Sequence, residues 1–210
     1  MVFRIAVMSV STRPKPYNKF ISQYVETRKP DSYDGLVIEH IDLAEENLPA
    51  YNELISPKKM PRENPTPHYL HEHTRNWSAK VLQYDAFIIV TPQYNWSIPA
   101  SLKNAIDYLC NEWRGKPVGL VTYGTRGGFR AANHLVEVLG GGLKMEVCES
   151  KVQLKITDES YEETQKLGRL SAERESAWKA DGSEKVIEAM YSELLHKLEA
   201  SQENGSITKI

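Results

Sequence analysis

Five short apolar runs recur along the chain, and between them apolar residues repeat at helical spacing. Four of the runs span 2–8, 36–43, 86–91 and 118–123, and the fifth lies within 144–154. Runs of this length, rich in Val and Ile and ending at Ser, Thr, Pro or Gly, are typical of strands buried on both faces of a parallel sheet. The pattern therefore predicts five strands.

The intervening segments predict helices over 17–28, 72–83, 99–109, 129–139 and 186–198, each with apolar residues on one face. Five prolines in 48–68 indicate a long surface loop. The charged segment 158–183 is compatible with either helix or loop. The last ten residues, 201–210, predict a flexible tail.

Strands that alternate with helices predict an α/β fold with a parallel sheet covered on both faces. Five strands at this spacing fit a flavodoxin-like doubly wound sheet of order 2-1-3-4-5, formed by one domain over 1–200. The glycine fingerprints of dinucleotide-binding and nucleoside-triphosphate-binding loops are missing from the sequence. Neither of those two modes of nucleotide binding is therefore expected.

Composition excludes several classes of partner. Twenty-six basic and 28 acidic residues give a net charge of −2, so we expect neither nucleic acid nor membrane as a partner. Two cysteines, Cys110 and Cys148, exclude a disulfide scaffold, and we expect both to be buried in a cytoplasmic protein. His68, His71 and His73 cannot share one helical face, so we predict a solvated helix start and no metal site.

The loop after the first strand carries hydroxyl groups and a cation ahead of a helix. Ser9, Ser11 and Arg13 precede a helix start near Tyr17 and Asn18. Hydroxyl donors, free amides at a helix N-terminus and one Arg suit a phosphate dianion. The alternative is an ordinary helix start with a solvated Arg.

The loop after the third strand places two aromatic side chains at the strand end. Pro92 ends the strand, and Tyr94 and Trp96 flank Asn95, a residue that tolerates a left-handed backbone. A flat heteroaromatic ligand could lie against this loop. Trp96 either lines the mouth of that site or packs beneath the loop as a structural residue.

The loop after the fourth strand is rich in glycine. Gly124, Gly127 and Gly128 allow close approach of the backbone, and they present amides at the next helix N-terminus. A plain strand-to-helix turn is the alternative, but one glycine would be enough for such a turn.

The sequence Thr-Pro-Gln-Tyr-Asn-Trp-Ser-Ile-Pro-Ala-Ser-Leu-Lys-Asn-Ala-Ile-Asp over 91–107 resembles the signature of the NAD(P)H-dependent FMN reductases. That family is flavodoxin-like and includes quinone and azo reductases. The resemblance covers roughly 3–155, extends to the glycine loop at 123–128, and is greatest to fungal-type FMN-dependent quinone reductases. One departure is in the phosphate loop, where the family usually has Gly-Ser-x-Arg. Here 8–13 lacks the Gly and is one residue longer, although Arg13 matches the family's Arg.

The resemblance implies an enzyme that binds FMN, takes hydride from NADPH or NADH, and passes electrons to a quinone, a free flavin or an azo compound by a ping-pong mechanism. It also implies a homodimer, and it requires no catalytic side chain and no metal. The residues expected to bind the cofactor are Ser9, Ser11, Arg13, Asn18, Pro92, Gln93, Tyr94, Asn95, Trp96, Tyr123, Gly124, Arg126, Gly127 and Gly128.

Two alternatives remain at this stage. The first is a flavodoxin-type electron carrier that does not oxidise NAD(P)H itself, although such a carrier is expected to have a more acidic surface. The second is a protein that kept the fold and lost the flavin, since one fold can host unrelated functions.

Overall fold

The computed structural model describes residues 2–15, 17–30, 33 and 35–203. The strands are β1 (Phe3–Ser9), β2 (Leu36–Asp42), β3 (Ala86–Pro92), β4 (Pro117–Gly124) and β5 (Glu146–Lys155). The helices are α1 (Asn18–Glu26), α2 (Glu72–Leu82), α3 (Ala100–Asp107), α4 (Phe129–Leu135), α5 (Asp158–Leu167), α6 (Ala172–Ala180) and α7 (Ser183–Glu203).

The five strands form one parallel sheet in the order β2-β1-β3-β4-β5, which confirms the predicted flavodoxin-like topology. β2 pairs with one side of β1 and β3 with the other, so the direction in which strands are added to the sheet reverses after β2. The carboxyl ends of all five parallel strands lie at the same end of the sheet. Loops that follow β1, β3, β4 and β5 therefore meet there.

Each face of the sheet carries its own apolar core because side chains alternate along a strand. Ile5 and Ile88 pack with α1 and α7 on one face. Met8 and Ile89 pack with α2 and α3 on the other. Burial on both faces explains why β1, β3 and β4 are nearly continuous apolar runs. The edge strands β2 and β5 are partly exposed and mix apolar with charged residues.

The proline-rich segment 48–68 is more strongly anchored than a plain surface loop. The buried carboxylate of Glu53 accepts hydrogen bonds from the backbone N–H groups of Leu70 and His71, at 3.1 Å each. The rings of His71 and His73 stack 5.1 Å apart, and both hydrogen-bond to Asn52. Both of these histidines are half-buried and His68 is exposed, so the helix start is partly solvated. In the described part of the chain, no group of three His, Cys, Asp or Glu side chains could hold a metal ion.

Three other segments differ from or refine the sequence predictions. The ambiguous stretch 158–183 contains α5 and α6, each started by a hydroxyl side-chain cap. The helix after β4 does not stop before its glycines but continues as a π-helical turn over Val136–Gly142. The tail prediction is wrong for 201–203, because Ser201 is buried and α7 runs to Glu203. Residues 204–210 lie outside the described residues. None of the described helices combines the length and apolar character needed to cross a bilayer.

Candidate functional site

A cleft of about 470 Å³ opens at the edge of the sheet where the strands end. Its walls come from the loops that follow β1, β3, β4 and β5. An open parallel sheet binds its ligand at this edge, near the reversal of strand order. The residues that line the cleft are Ser11, Arg13, Lys15, Tyr17, Pro92, Gln93, Tyr94, Tyr123, Gly124, Thr125, Ile156, Thr157, Asp158 and Tyr161.

A fully buried asparagine fixes the loop after β1. The Asn18 side-chain oxygen accepts a hydrogen bond from the backbone N–H of Ser11 at 2.9 Å, and its amide nitrogen donates to the carbonyl of Val90 at 2.6 Å. Asn18 thus ties the loop to the end of β3. The Ser11 hydroxyl, held at the cleft, hydrogen-bonds to the hydroxyl of Tyr94 at 3.1 Å.

The other polar residues of this loop divide between the interior and the cleft. The buried Ser9 hydroxyl hydrogen-bonds to Ser22 at 2.9 Å and to His40 at 3.1 Å, and Ser9 does not line the cleft. Arg13 does line it, and its guanidinium carbon lies 5.6 Å from the centre of the Tyr94 ring. Of the two serines predicted here, Ser11 is therefore the one at the cleft.

The loop after β3 makes a tight two-residue turn. Tyr94 and Ser97 exchange backbone hydrogen bonds of 2.9 and 2.8 Å, with Asn95 and Trp96 at the tip. Both tip residues have left-handed backbones, with φ of 47° and 68°. Two positive φ values define the turn type that closes most two-residue hairpins. The left-handed conformation is confirmed for Asn95, and it is unusual for a residue as large as Trp96.

Gln93 joins this loop to the next one. Its side-chain oxygen accepts hydrogen bonds from the backbone N–H groups of Arg130 and Ala131, at 3.0 and 3.3 Å. Those two groups lie in the first turn of α4, where backbone donors have no partner within the helix. Gln93 thus stabilises the start of α4 and ties the loop after β3 to it.

The glycines after β4 are required mainly by the fold. Gly127 and Gly128 have φ of 74° and 77°. A Cβ on Gly127 would lie 2.9 Å from the Cβ of Gln153, and one on Gly128 would lie 3.0 Å from the backbone N of Tyr123. Gly124, by contrast, lines the cleft, and a Cβ there would meet only ordinary contacts.

The fourth wall of the cleft comes from the start of α5, which sequence reasoning missed. Thr157 and Ser160 cap each other's backbone N–H groups at 3.2 and 3.0 Å, which fixes the first turn of the helix. Tyr161 follows in that turn, and its ring stacks on that of Tyr17 with centroids 5.8 Å apart. The signal was present in the sequence: a Thr after a strand, followed by Asp158 and a second acidic residue, is typical of a helix start.

The charges that line the cleft favour an anion. Arg13 and Lys15 bring two positive charges, and Asp158 brings one negative charge. Tyr123 is buried, and burial together with the neighbouring Tyr94 and Tyr161 raises its pKa well above the usual range. Its hydroxyl therefore stays protonated at every physiological pH.

The structure brings seven of the fourteen predicted cofactor residues to the cleft and leaves seven outside its lining. Those at the cleft are Ser11, Arg13, Pro92, Gln93, Tyr94, Tyr123 and Gly124. Those outside are Ser9, Asn18, Asn95, Trp96, Arg126, Gly127 and Gly128. Most of the residues outside the lining shape the loops that carry the lining residues, whereas the side chains of Trp96 and Arg126 are exposed to solvent.

Comparisons with known proteins cover most of the chain. A model of the family described as NADPH-dependent FMN reductase matches residues 3–157. An NAD(P)H-dependent FMN reductase of a Nectria species is 40% identical over 152 residues, which cover 72% of this chain and 74% of the relative. A quinone reductase of Pseudomonas putida is 34% identical over 142 residues, which cover 64% of this chain and 68% of the relative.

Solved structures with this fold include flavoproteins. The flavoenzyme NAD(P)H:(acceptor) oxidoreductase FerB of Paracoccus denitrificans superposes with a TM-score of 0.67 at 20% identity, covering 93% of this chain and 99% of that one. An FMN-dependent NADH-azoreductase of Bacillus anthracis in complex with FMN gives a TM-score of 0.52 at 12% identity, covering 91% and 99%. At these identities the likeness shows a common fold.

Proposed function

The chain belongs to the NADPH-dependent FMN reductase family, and we propose that it is an FMN-dependent oxidoreductase that uses NADPH or NADH to reduce a quinone or a free flavin. The observation that carries this proposal is the cleft itself. Its lining brings Ser11, Arg13 and Lys15 together with the aromatic rings of Tyr94 and Tyr123.

The donor set of the cleft fits FMN. Arg13, Lys15 and the Ser11 hydroxyl are the groups that bind a phosphate dianion, because each donates hydrogen bonds and two carry positive charge. Tyr94 and Tyr123 offer the flat apolar surface that a flavin ring needs. The cleft has the volume of a small-ligand site, and one phosphate-binding end suits a mononucleotide rather than FAD.

Bound FMN supplies the redox chemistry, which consists of accepting hydride from NAD(P)H and giving up electrons to the second substrate. The residues of this chain bind and orient the flavin. Gln93 ties the loop after β3 to the start of α4, and Gly124 lines the cleft without a side chain. Tyr123 remains a neutral hydrogen-bond donor because its pKa is raised. We assign no side chain as a general acid.

We further propose that this single domain over 1–200 works as a cytoplasmic homodimer. An exposed tryptophan at the rim of a site supports the dimer, since aromatic side chains are enriched at protein interfaces. The free, buried Cys110 and Cys148 are consistent with a reducing compartment. A monomeric mass by light scattering at micromolar concentration, together with full activity, would contradict the dimer.

The main experiment identifies the cofactor and follows its reduction. The purified protein is heated and the released flavin is separated by chromatography; we expect FMN, and FAD as the main species would contradict the proposal. Anaerobic addition of NADPH should then bleach the flavin absorbance, and a quinone should restore it. A flavodoxin-type carrier would keep its absorbance with NADPH, and a protein without flavin would have no such spectrum.

Two-substrate kinetics test the order of steps. A ping-pong mechanism predicts parallel double-reciprocal lines when NADPH is varied at several quinone concentrations. Intersecting lines would mean that both substrates bind together, and that part of the proposal would fail.

A further inference from the structure

The loop after β1 is held on the β3 side of the cleft by several contacts. Ser101 donates a hydrogen bond to the carbonyl of Val10 at 2.9 Å, Asn18 and Tyr94 hold Ser11, and Arg13 lies over the Tyr94 ring. These contacts fix the first half of the loop. They end at Arg13, before the loop reaches Lys15.

The second half of the loop has few backbone hydrogen-bond donors of its own. Lys15 stands between Pro14 and Pro16 in the sequence, and proline has no backbone N–H to donate. The side chains of Arg13, Pro14 and Lys15 are exposed, so they contribute little packing. A hydrogen bond from another element can therefore fix this part of the loop, and one group is placed to make it.

Tyr161 is that group. Its hydroxyl donates a hydrogen bond of 2.8 Å to the backbone carbonyl of Lys15, across 146 residues of sequence. Its ring stacks on Tyr17, the residue that directly precedes α1. One side chain thus contacts both the loop and the residue at the start of the helix that the loop enters.

Tyr161 is itself held in place. The reciprocal caps of Thr157 and Ser160 fix the first turn of α5. The backbone N–H of Ile156 donates to the carbonyl of Gly124 at 3.1 Å, which ties the end of β5 to the β4 loop. The hydroxyl of Tyr161 therefore reaches Lys15 from a rigid support, as a positioning group requires.

We propose that Tyr161 is a positioning residue for the phosphate end of the site, and that it raises selectivity for a phosphorylated flavin over an unphosphorylated one. By fixing the Lys15 carbonyl it holds the loop so that Arg13 and Lys15 face the cleft. Without this bond, the loop would lose conformational entropy when the ligand binds, and that cost would lower the affinity. The inference rests on the proposed FMN function. Tyr161 lies beyond residue 157, where the match to the family model ends.

The test compares two ligands that differ by the phosphate. Flavin is removed from the wild-type protein and from Tyr161→Phe, and dissociation constants for FMN and riboflavin are measured by quenching of flavin fluorescence. Tyr161→Phe keeps the ring and removes one hydrogen bond, so we expect the FMN constant to rise about five- to tenfold. The riboflavin constant should stay within about twofold of the wild-type value, because riboflavin has no phosphate for the loop to bind.

The matched control is Tyr191→Phe. The Tyr191 hydroxyl also donates to a distant backbone carbonyl, that of Val25, at 3.1 Å, but Tyr191 lies in the core away from the cleft. This variant should leave the ratio of the two constants unchanged. In an Arg13→Ala background the effect of Tyr161→Phe on FMN should shrink, because a charge that Tyr161 positions is gone.

The outcomes separate the inference from the function on which it rests. Equal weakening of FMN and riboflavin would mean that Tyr161 is only a wall of the cleft, and no change in either would mean that the bond to Lys15 is without effect. Each result overturns the inference alone. Failure of the wild-type protein to bind either flavin would overturn the proposed function, and the inference with it.

Discussion

The guanidinium of Arg130 lies over the indole of Trp96, with its carbon 3.5 Å from the ring centroid. Trp96 is 68% exposed and sits at the tip of the turn after β3 with φ of 68°. The hypothesis that Trp96 packs beneath the loop is therefore wrong. A large side chain kept in a strained backbone and stacked by a cation on the surface favours a role at the rim of the site.

Replacing Trp96 by Gly should change substrate choice and leave stability nearly intact. Glycine adopts a positive φ without strain. The relief of about 1 kcal/mol of backbone strain therefore offsets the loss of the contact between Trp96 and Arg130. We expect the ratio of kcat/KM for a large and a small quinone to shift while FMN content stays constant. Trp96→Ala, which keeps the strain, serves as the comparison. Loss of several kcal/mol with an unchanged ratio would contradict the rim role.

Replacing Arg13 by Ala should weaken FMN binding by about 1–3 kcal/mol, the range of a charge-assisted hydrogen bond. Riboflavin affinity should change little. The measurement is fluorescence titration at low ionic strength. Arg114→Ala is the control, because Arg114 is exposed and precedes β4 at the opposite edge of the sheet. Equal FMN affinity in wild type and Arg13→Ala would show that Arg13 does not bind the cofactor.

Replacing Gly127 by Ala should destabilise the protein whether or not flavin is bound. The added Cβ would lie 2.9 Å from the Cβ and 3.0 Å from the backbone oxygen of Gln153, and the φ of 74° is strained for any L residue. We expect a loss of about 1–3 kcal/mol in chemical denaturation. Gly124→Ala should stay within about 1 kcal/mol, because its Cβ meets only ordinary contacts. Equal stability of the two variants would contradict this assignment.

Much of the fold followed from the sequence because its signals are local. β1, β3 and β4 are buried on both faces, so their sequences are apolar runs. The predicted limits of all five strands differ from the observed ones by at most about two residues. The helix after β4 was harder, because glycines in 140–142 signal a stop while tertiary packing extends a π-helical turn through them. At such a position tertiary packing overrides the low helix propensity of glycine.

The candidate site was predictable as a set of loops but not residue by residue. Ser9 and Asn18 carry polar groups suited to a phosphate, yet both are buried and engaged with Ser22, His40, Ser11 and Val90. Sequence spacing cannot tell whether a polar group points into a cleft or ties two loops together. Lys15, Asp158 and Tyr161 were missed because the cleft brings together loops that are far apart in the sequence. The hydrogen bond between Tyr161 and Lys15 spans 146 residues.

Replacing Asn18 by Ala tests this distinction. If Asn18 mainly ties the β1 loop to β3, its loss leaves the Ser11 N–H and the Val90 carbonyl without their partner. We expect the flavin-free protein to lose about 2–4 kcal/mol, since each unpaired buried group costs about 1–3 kcal/mol. Urea denaturation of the flavin-free form is the measurement. Unchanged stability of that form, with weaker FMN binding, would make Asn18 a ligand instead.

The free energy of unfolding should change with pH because of the titration of Lys116. Its ammonium group donates to the carbonyl of Val81 at 2.8 Å beside the Phe87 ring, and burial lowers its pKa to about 8, with Asp85 and Glu112 opposing the shift in part. Between pH 8 and its ordinary value near 10.5 the unfolded chain therefore binds more protons at this site than the folded one.

Stability should accordingly rise with pH in this window, by up to about 1.4 kcal/mol per unit, whereas below pH 8 the full cost of the buried charge remains. Above pH 10 buried tyrosines act in the opposite sense, because burial raises the pKa of groups such as Tyr191 and the folded state then binds more protons. Burial also raises the pKa of the Cys148 thiol to about 12, so above about pH 8.5 this thiol opposes the lysine. The difference between wild type and Lys116→Met in urea denaturation between pH 7.5 and about 9.5 therefore isolates the lysine. In Lys116→Met this rise should disappear, because the variant keeps the length of the side chain and has no proton to lose. Parallel curves for the two proteins would show that Lys116 is as well solvated in the folded state as in the unfolded one.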